Sequence, residues 1–116
     1  MPKQKLNPLP SAAFHILLSL AGEDLHGYAI MREVAARTGG RMRLGPGTLY
    51  SSIQSLLEAK LIEERESHED SSLNNERRRY YRLTSAGRKV ACAEAGRLAD
   101  LLRIARAKKI LRGEYV

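Results

Sequence analysis

Gly45-Pro46-Gly47-Thr48-Leu49-Tyr50-Ser51-Ser52-Ile53-Gln54-Ser55-Leu56-Leu57-Glu58-Ala59-Lys60 is the stretch whose reading decides the fold. Gly45 to Thr48 reads as a turn into a helix start, with Thr48 a candidate N-cap. Leu49, Ile53, Leu56 and Leu57 recur at i, i+4, i+7 and i+8, the spacing of a helix with one face turned to a core. Tyr50, Ser51, Gln54, Ser55 and Glu58 fall on the opposite face. The helix ends near Lys60.

Upstream, Lys3–Pro10 is mostly polar with two prolines and reads as an arm. A first helix starts at Pro10 or Ser11, carries Ala13, Phe14, Leu17, Leu18 and Ala21 as a stripe, and ends at Gly22-Glu23-Asp24. A second helix runs from about Gly27 to Thr38, with Tyr28, Ile30, Met31, Val34 and Ala35 on one face, and Gly39-Gly40 stops it. Arg41–Leu44 reads as a small extended segment. Downstream the period changes. Leu61–His68 and Arg77–Thr84 suit two strands around the polar loop Glu69–Glu76, where Asn74-Asn75 is good turn chemistry. Thr84-Ser85-Ala86-Gly87 then opens a last helix reaching about Leu111, roughly 40 Å at 1.5 Å per residue.

The order helix–helix–helix–strand–strand–long helix predicts a mainly α fold with a small β-hairpin, a winged helix-turn-helix. Residues 1–84 would form that unit and residues 85–116 a C-terminal dimerisation helix, the two making one compact body. The 116 residues allow one domain. No apolar run is long enough for a membrane span or a signal peptide, so a cytoplasmic protein is expected. The one cysteine, Cys92, has no disulfide or metal-ligand companion and reads as a small packing residue. His15 and His68 stand far apart with no thiol or carboxylate pattern, so no metal is expected. No cofactor motif is present either: Gly45-Pro46-Gly47 lacks the Lys-Ser/Thr that a P-loop needs. With no nucleophile beside a base, an enzyme is not expected.

A formal net charge of +7 points to an anionic partner, nucleic acid by default. Its distribution tempers that reading. Residues 85–116 carry Arg88, Lys89, Arg97, Arg103, Arg106, Lys108, Lys109 and Arg112 against Glu94, Asp100 and Glu114, whereas Leu61–Thr84 is close to neutral. Residue types are more informative than the sum. In a winged helix the third helix enters the major groove and the hairpin reaches backbone or minor groove. Short polar side chains approach base edges without clashing, which suits Thr48, Ser51, Gln54 and Ser55, and Gln54 can bond an adenine twice. Tyr28 and Tyr50 bring hydroxyls suited to phosphate oxygens. Arg77, Arg78 and Arg79 can bind phosphates or probe a narrow minor groove. Each has a plainer alternative: a solvated serine face, tyrosines packed between helices, arginines paired with Glu63, Glu64, Glu66 and Glu76. His26, before Gly27, reads as a turn or capping residue.

His26-Gly27-Tyr28, Gly45-Pro46-Gly47-Thr48-Leu49-Tyr50, Leu57-Glu58-Ala59-Lys60-Leu61-Ile62 and Arg79-Tyr80-Tyr81-Arg82-Leu83-Thr84-Ser85-Ala86-Gly87 occur in that order between Leu9 and about Lys89. In this combination the chain resembles the PadR family of transcriptional regulators, the short form with a single C-terminal helix. The resemblance implies a winged-helix dimer that represses promoters containing inverted repeats. It implies a DNA-facing set of Tyr28, Thr48, Leu49, Tyr50, Ser51, Gln54 and Ser55, with the wing's Arg77, Arg78 and Arg79 on the backbone.

The last helix has an apolar face wider than an intramolecular seam requires. Ala91, Ala95, Leu98, Leu102 and Ala105 form one stripe, widened by Leu101, Ile104 and Leu111. We read it as a homodimer interface, packing on its mate and on the partner's first helix near Phe14 and Leu17. A cap over its own three-helix core is the alternative. Some PadR-like regulators stack aromatic ligands on a tryptophan of this helix. This chain has no Trp and one Phe, which disfavours such a pocket; a small aliphatic or phenolic effector and no effector are both compatible. The competing function is a protein-interaction module built on the same scaffold.

Overall fold

Pro10 holds extended backbone (φ −65°, ψ 152°), and α1, Ser11–Leu20, begins at the next residue. The computed structural model describes residues 6–67 and 78–112; Arg77 and the Asn74-Asn75 turn lie outside the described residues. After α1 come β1 (Leu25–His26), α2 (Gly27–Arg37), α3 (Pro46–Glu58), β2 (Ile62–Ser67), β3 (Arg78–Leu83) and α4 (Ser85–Ala107). The mainly helical fold with a small antiparallel sheet is the one the sequence predicts. One strand was not expected. The short β1 joins the free edge of β3, pairing Leu25 with Tyr81 and His26 with Tyr80, to give the order β1-β3-β2. Arg41–Leu44, expected as a small extended segment, joins no strand: the chain bends at Arg41 and has no regular structure from Met42 to Gly45.

The core lies where α1, α2 and α3 meet the sheet. Ile16, Leu17, Ile30, Val34, Leu49 and Leu56 are fully enclosed, with Ile53, Ile62 and Tyr81 almost so. Burying one such aliphatic side chain contributes about 1.5–3 kcal/mol, so this cluster is the main stabilising element. Leu17 therefore belongs to the core and is not available to a partner, contrary to expectation: it shares the inner stripe with Ala13, Ile16 and Leu20. Leu18 takes the outward position, 40% exposed. Arg37 straps α2 to α1, donating to Ser19 Oγ (2.9 Å) and lying 3.1 Å from His15 Nδ1. Burial, and then the adjacent Arg37 charge, hold the His15 imidazole below its ordinary pKa.

The hairpin is fixed to α3 and α4 at a single junction. α3 ends with Lys60 in the left-handed region (φ 62°), where Lys60 N–H bonds Leu57 O and Leu61 N–H bonds Leu56 O, both at 3.0 Å. This is the Schellman arrangement with lysine in the place glycine usually takes. Thr84 closes the other side. Its N–H bonds Leu61 O (3.1 Å), its hydroxyl donates to Lys60 O (2.8 Å), and the same oxygen caps α4 by accepting from Gly87 N–H (3.0 Å). The wing's start, its end and the root of α4 are thus one hydrogen-bonded knot.

Candidate nucleic-acid interface

α3 presents its face by simple rotation, about 100° per residue. Leu49, Ser52, Ile53, Ser55 and Leu56 turn inward. Gly47, Tyr50, Gln54 and Glu58 are exposed and Ser51 is half-buried. Three expectations change here. Leu49 is fully buried core and cannot touch a groove. Ser55 is 8% exposed, because it sits on the flank of the buried arc beside Ser52. Thr48 is not the N-cap: Gly45 is, with Pro46 in the first turn and no side-chain cap, which leaves Thr48 exposed on the helix. Glu58 was set on the outer face without a role; it accepts from Gln54 Nε2 at 3.2 Å, so Gln54 is oriented along the exposed face.

The N-terminus of α2 abuts that face. His26 Nδ1 accepts from Ala29 N–H at 3.1 Å, the capping role expected of it, and its ring stands edge-on to Tyr80 at 5.4 Å. Gly27 lets Tyr50 pack close: a Cβ there would lie 2.5 Å from the Tyr50 hydroxyl oxygen and would push the ring aside. The Tyr50 ring therefore leans on α2 while half of it stays exposed. Tyr28 is 61% exposed, and Arg32 lies one turn on with its guanidinium 5.7 Å from the Tyr28 ring centre. Tyr81 backs this surface. Burial, then Glu64 and Tyr50, push its phenol pKa up, with Arg79 opposing. Tyr50 thus joins α3 to the start of α2, where the neighbouring Tyr28 is exposed.

On the hairpin, β2 and β3 run in strict register, Glu63 opposite Arg82 and Glu64 opposite Tyr81, with Arg78 opposite Ser67. Arg79 pairs with Glu64 (3.5 Å), and Arg82 reaches Asp24 (3.5 Å) and Glu63 (3.8 Å). Arg65 shares Asp24 at 3.4 Å. The plainer reading of these arginines is thus realised for Arg79. Such exposed pairs are worth about 0–1 kcal/mol, so a phosphate can displace the carboxylate. Asp24 as an anchor for two strands was not legible in the sequence, where it reads only as a helix stop.

Along α4, Val90 and Ala91 are half-buried against the body. Farther on, Leu101, Leu102 and Ile104 are 48%, 52% and 51% exposed, Ala95 is exposed, and Leu98 and Ala105 are half-buried. Phe14 on α1 is half-buried. Cys92 is exposed rather than packed. Glu94 is covered although its helix is mostly open; two bonds from Arg97 (2.6 and 2.9 Å) hold its carboxyl below the usual carboxylate range. Among the described residues no cluster of His, Cys, Asp and Glu could hold a metal, and no helix is long and apolar enough to cross a membrane.

A three-helix core, a third helix with a polar outer face and a β-wing knotted to a long last helix define a winged helix-turn-helix protein. The model of the transcriptional regulator PadR-like family matches residues 16–93, and the chain belongs to that family. A transcriptional regulator from Clostridium thermocellum superposes with a TM-score of 0.70 at 24% identity, over 82% of this chain and 89% of that one. A PadR family regulator from Clostridium difficile R20291 gives 0.71 at 21% identity, over 84% and 97%. Bacillus subtilis PadR, solved in complex with operator DNA, gives 0.64 at 19% identity, over 72% and 47%. At these identities the likeness is one of fold. Among curated proteins, the chain is similar to an uncharacterized protein X of Lysinibacillus sphaericus (32% identical over 73 residues, 63% of this chain). It is also similar to an uncharacterized 37.1 kDa protein in transposon TN4556 of Streptomyces fradiae (36% over 86 residues, 74% of this chain). The chain matches 64% and 22% of the lengths of these two relatives.

Proposed function

We propose that the protein is a homodimeric, sequence-specific DNA-binding transcriptional regulator that represses an inverted-repeat operator. The observation that carries this reading is the outer face of α3, with Thr48, Tyr50 and Gln54 exposed and Ser51 half-buried, next to the start of α2 and its exposed Tyr28. A major groove about 12 Å wide admits one helix, whose polar face then meets base edges while flanking tyrosines and arginines meet phosphates. Bacillus subtilis PadR, which shares the fold, was solved in complex with operator DNA, which supports DNA as the partner. Pairing two copies through α4 about a two-fold axis would set two reading helices about 34 Å apart, one DNA turn. A small aliphatic or phenolic effector and no effector are both compatible with this reading, since the chain has no Trp for stacking on α4.

Gln54→Ala tests base reading. It should weaken binding to the selected operator by about 1–3 kcal/mol and leave binding to unrelated duplex nearly unchanged. Equal losses on both duplexes would show that Gln54 reads no base.

A further inference from the structure

Arg65, Arg79 and Arg82 on the hairpin each have a carboxylate at 3.4 or 3.5 Å. Among the described residues several arginines elsewhere have none, and two of these lie just before α3. Arg41 and Arg43, between α2 and α3, are exposed, and among the described residues their side chains have no hydrogen bond or ion pair. Their backbone is nevertheless firmly held. Gly39 and Gly40 turn the chain with φ 61° and 81°, and Gly40 N–H bonds Ala35 O at 2.7 Å. Thr38 Oγ1 donates to Val34 O (2.9 Å) and accepts from Met42 N–H (3.0 Å). Met42 is half-buried against the core and Leu44 is 7% exposed within it. Burial alternates along this segment, with Met42 and Leu44 turned inward and Arg41 and Arg43 exposed, the Arg43 guanidinium lying near Gly40. Arg43 precedes Gly45, the N-cap of α3, by two residues, which keeps its Cα within about 7.6 Å of the helix start.

We propose that Arg41 and Arg43 form a phosphate clamp that grips the DNA backbone beside the N-terminal end of α3, in addition to the wing. The inference rests on the reading of α3 as the groove helix. Two like charges exposed on a pinned segment, neither in an ion pair among the described residues, are electrostatically relieved by an anion. Duplex backbone is the anion that a groove-bound α3 brings to that place. The hairpin arginines must first leave their carboxylates, whereas this pair needs no such exchange.

The test compares the parent, Arg41→Ala/Arg43→Ala and Lys108→Ala/Arg112→Ala, the last removing the same charge from the segment just after α4. Each binds a duplex of about three helical turns, selected by the parent from a randomised pool, over a series of salt concentrations. The clamp variant should lose about two units from the slope of log affinity against log salt. Its affinity at about 0.1 M salt should fall on the order of tenfold, with its base preference unchanged. The control variant should keep the parent slope. A clamp variant with the parent slope, or a control variant that loses as much, overturns the clamp while leaving the DNA reading intact. A parent that binds no duplex overturns both.

Discussion

Gly87→Ala is expected to destabilise the protein by about 3 kcal/mol or more, seen as a large fall in thermal or urea midpoint. Inside most helices the same change stabilises by roughly 0.5–1 kcal/mol, because alanine loses less backbone entropy than glycine. Here sterics outweigh that gain. A Cβ on Gly87 would overlap the Leu61 carbonyl and come within 2.8 Å of Leu83 Cδ1. The carbonyl is no flexible neighbour: it belongs to the knot in which Thr84 N–H bonds Leu61 O and Thr84 caps α4 through Gly87 N–H. Relief requires the helix to move off the wing. Gly96→Ala is the internal control, since a Cβ there meets nothing within 4 Å and should raise the midpoint. If Gly87→Ala also raised it, the close packing of α4 on the hairpin would be wrong.

With two copies paired through α4, as proposed, Leu102→Glu is expected to give a monomer in sedimentation and to abolish tight operator binding with it. Leu102 is 52% exposed in the single chain, so the substitution costs the monomer fold little. In a helix-to-helix seam the same carboxylate would be buried without a partner, at a cost of several kcal/mol per subunit. Loss of the mate also removes the second half-site contact. Leu98→Glu should act in the same direction, although Leu98 is already half-buried. An unchanged dimer would place the interface elsewhere than on Leu98, Leu101 and Leu102.

Long, strongly periodic segments were legible in the sequence, and features made by tertiary packing were not. The stripe Leu49, Ile53, Leu56 placed α3 correctly because a buried helical face repeats every three or four residues. The same rule puts Leu49 in the core, so including it with the DNA-facing residues contradicted its own period. Ser55 shows the limit of polarity as a guide. A small hydroxyl fits a close helix flank as readily as water, and only the packed structure distinguishes the two. β1 escaped notice because a two-residue strand has no pattern of its own and exists only where β3 offers a free edge. The arginine run drew attention to the hairpin, yet Arg79 and Arg82 answer acids brought near by register and by Asp24. Arg41 and Arg43, separated by Met42, formed no run and were passed over.

The central claim, that two α3 helices read two related half-sites, is tested most directly by recovering bound duplexes from a randomised pool and sequencing them. The account predicts one enriched inverted repeat, its half-sites centred about 10 base pairs apart, with enrichment lost for Gln54→Ala and Leu102→Glu. Recovery of sequences with no shared motif, or of a single unpaired half-site that Leu102→Glu binds as well as the parent, would contradict it.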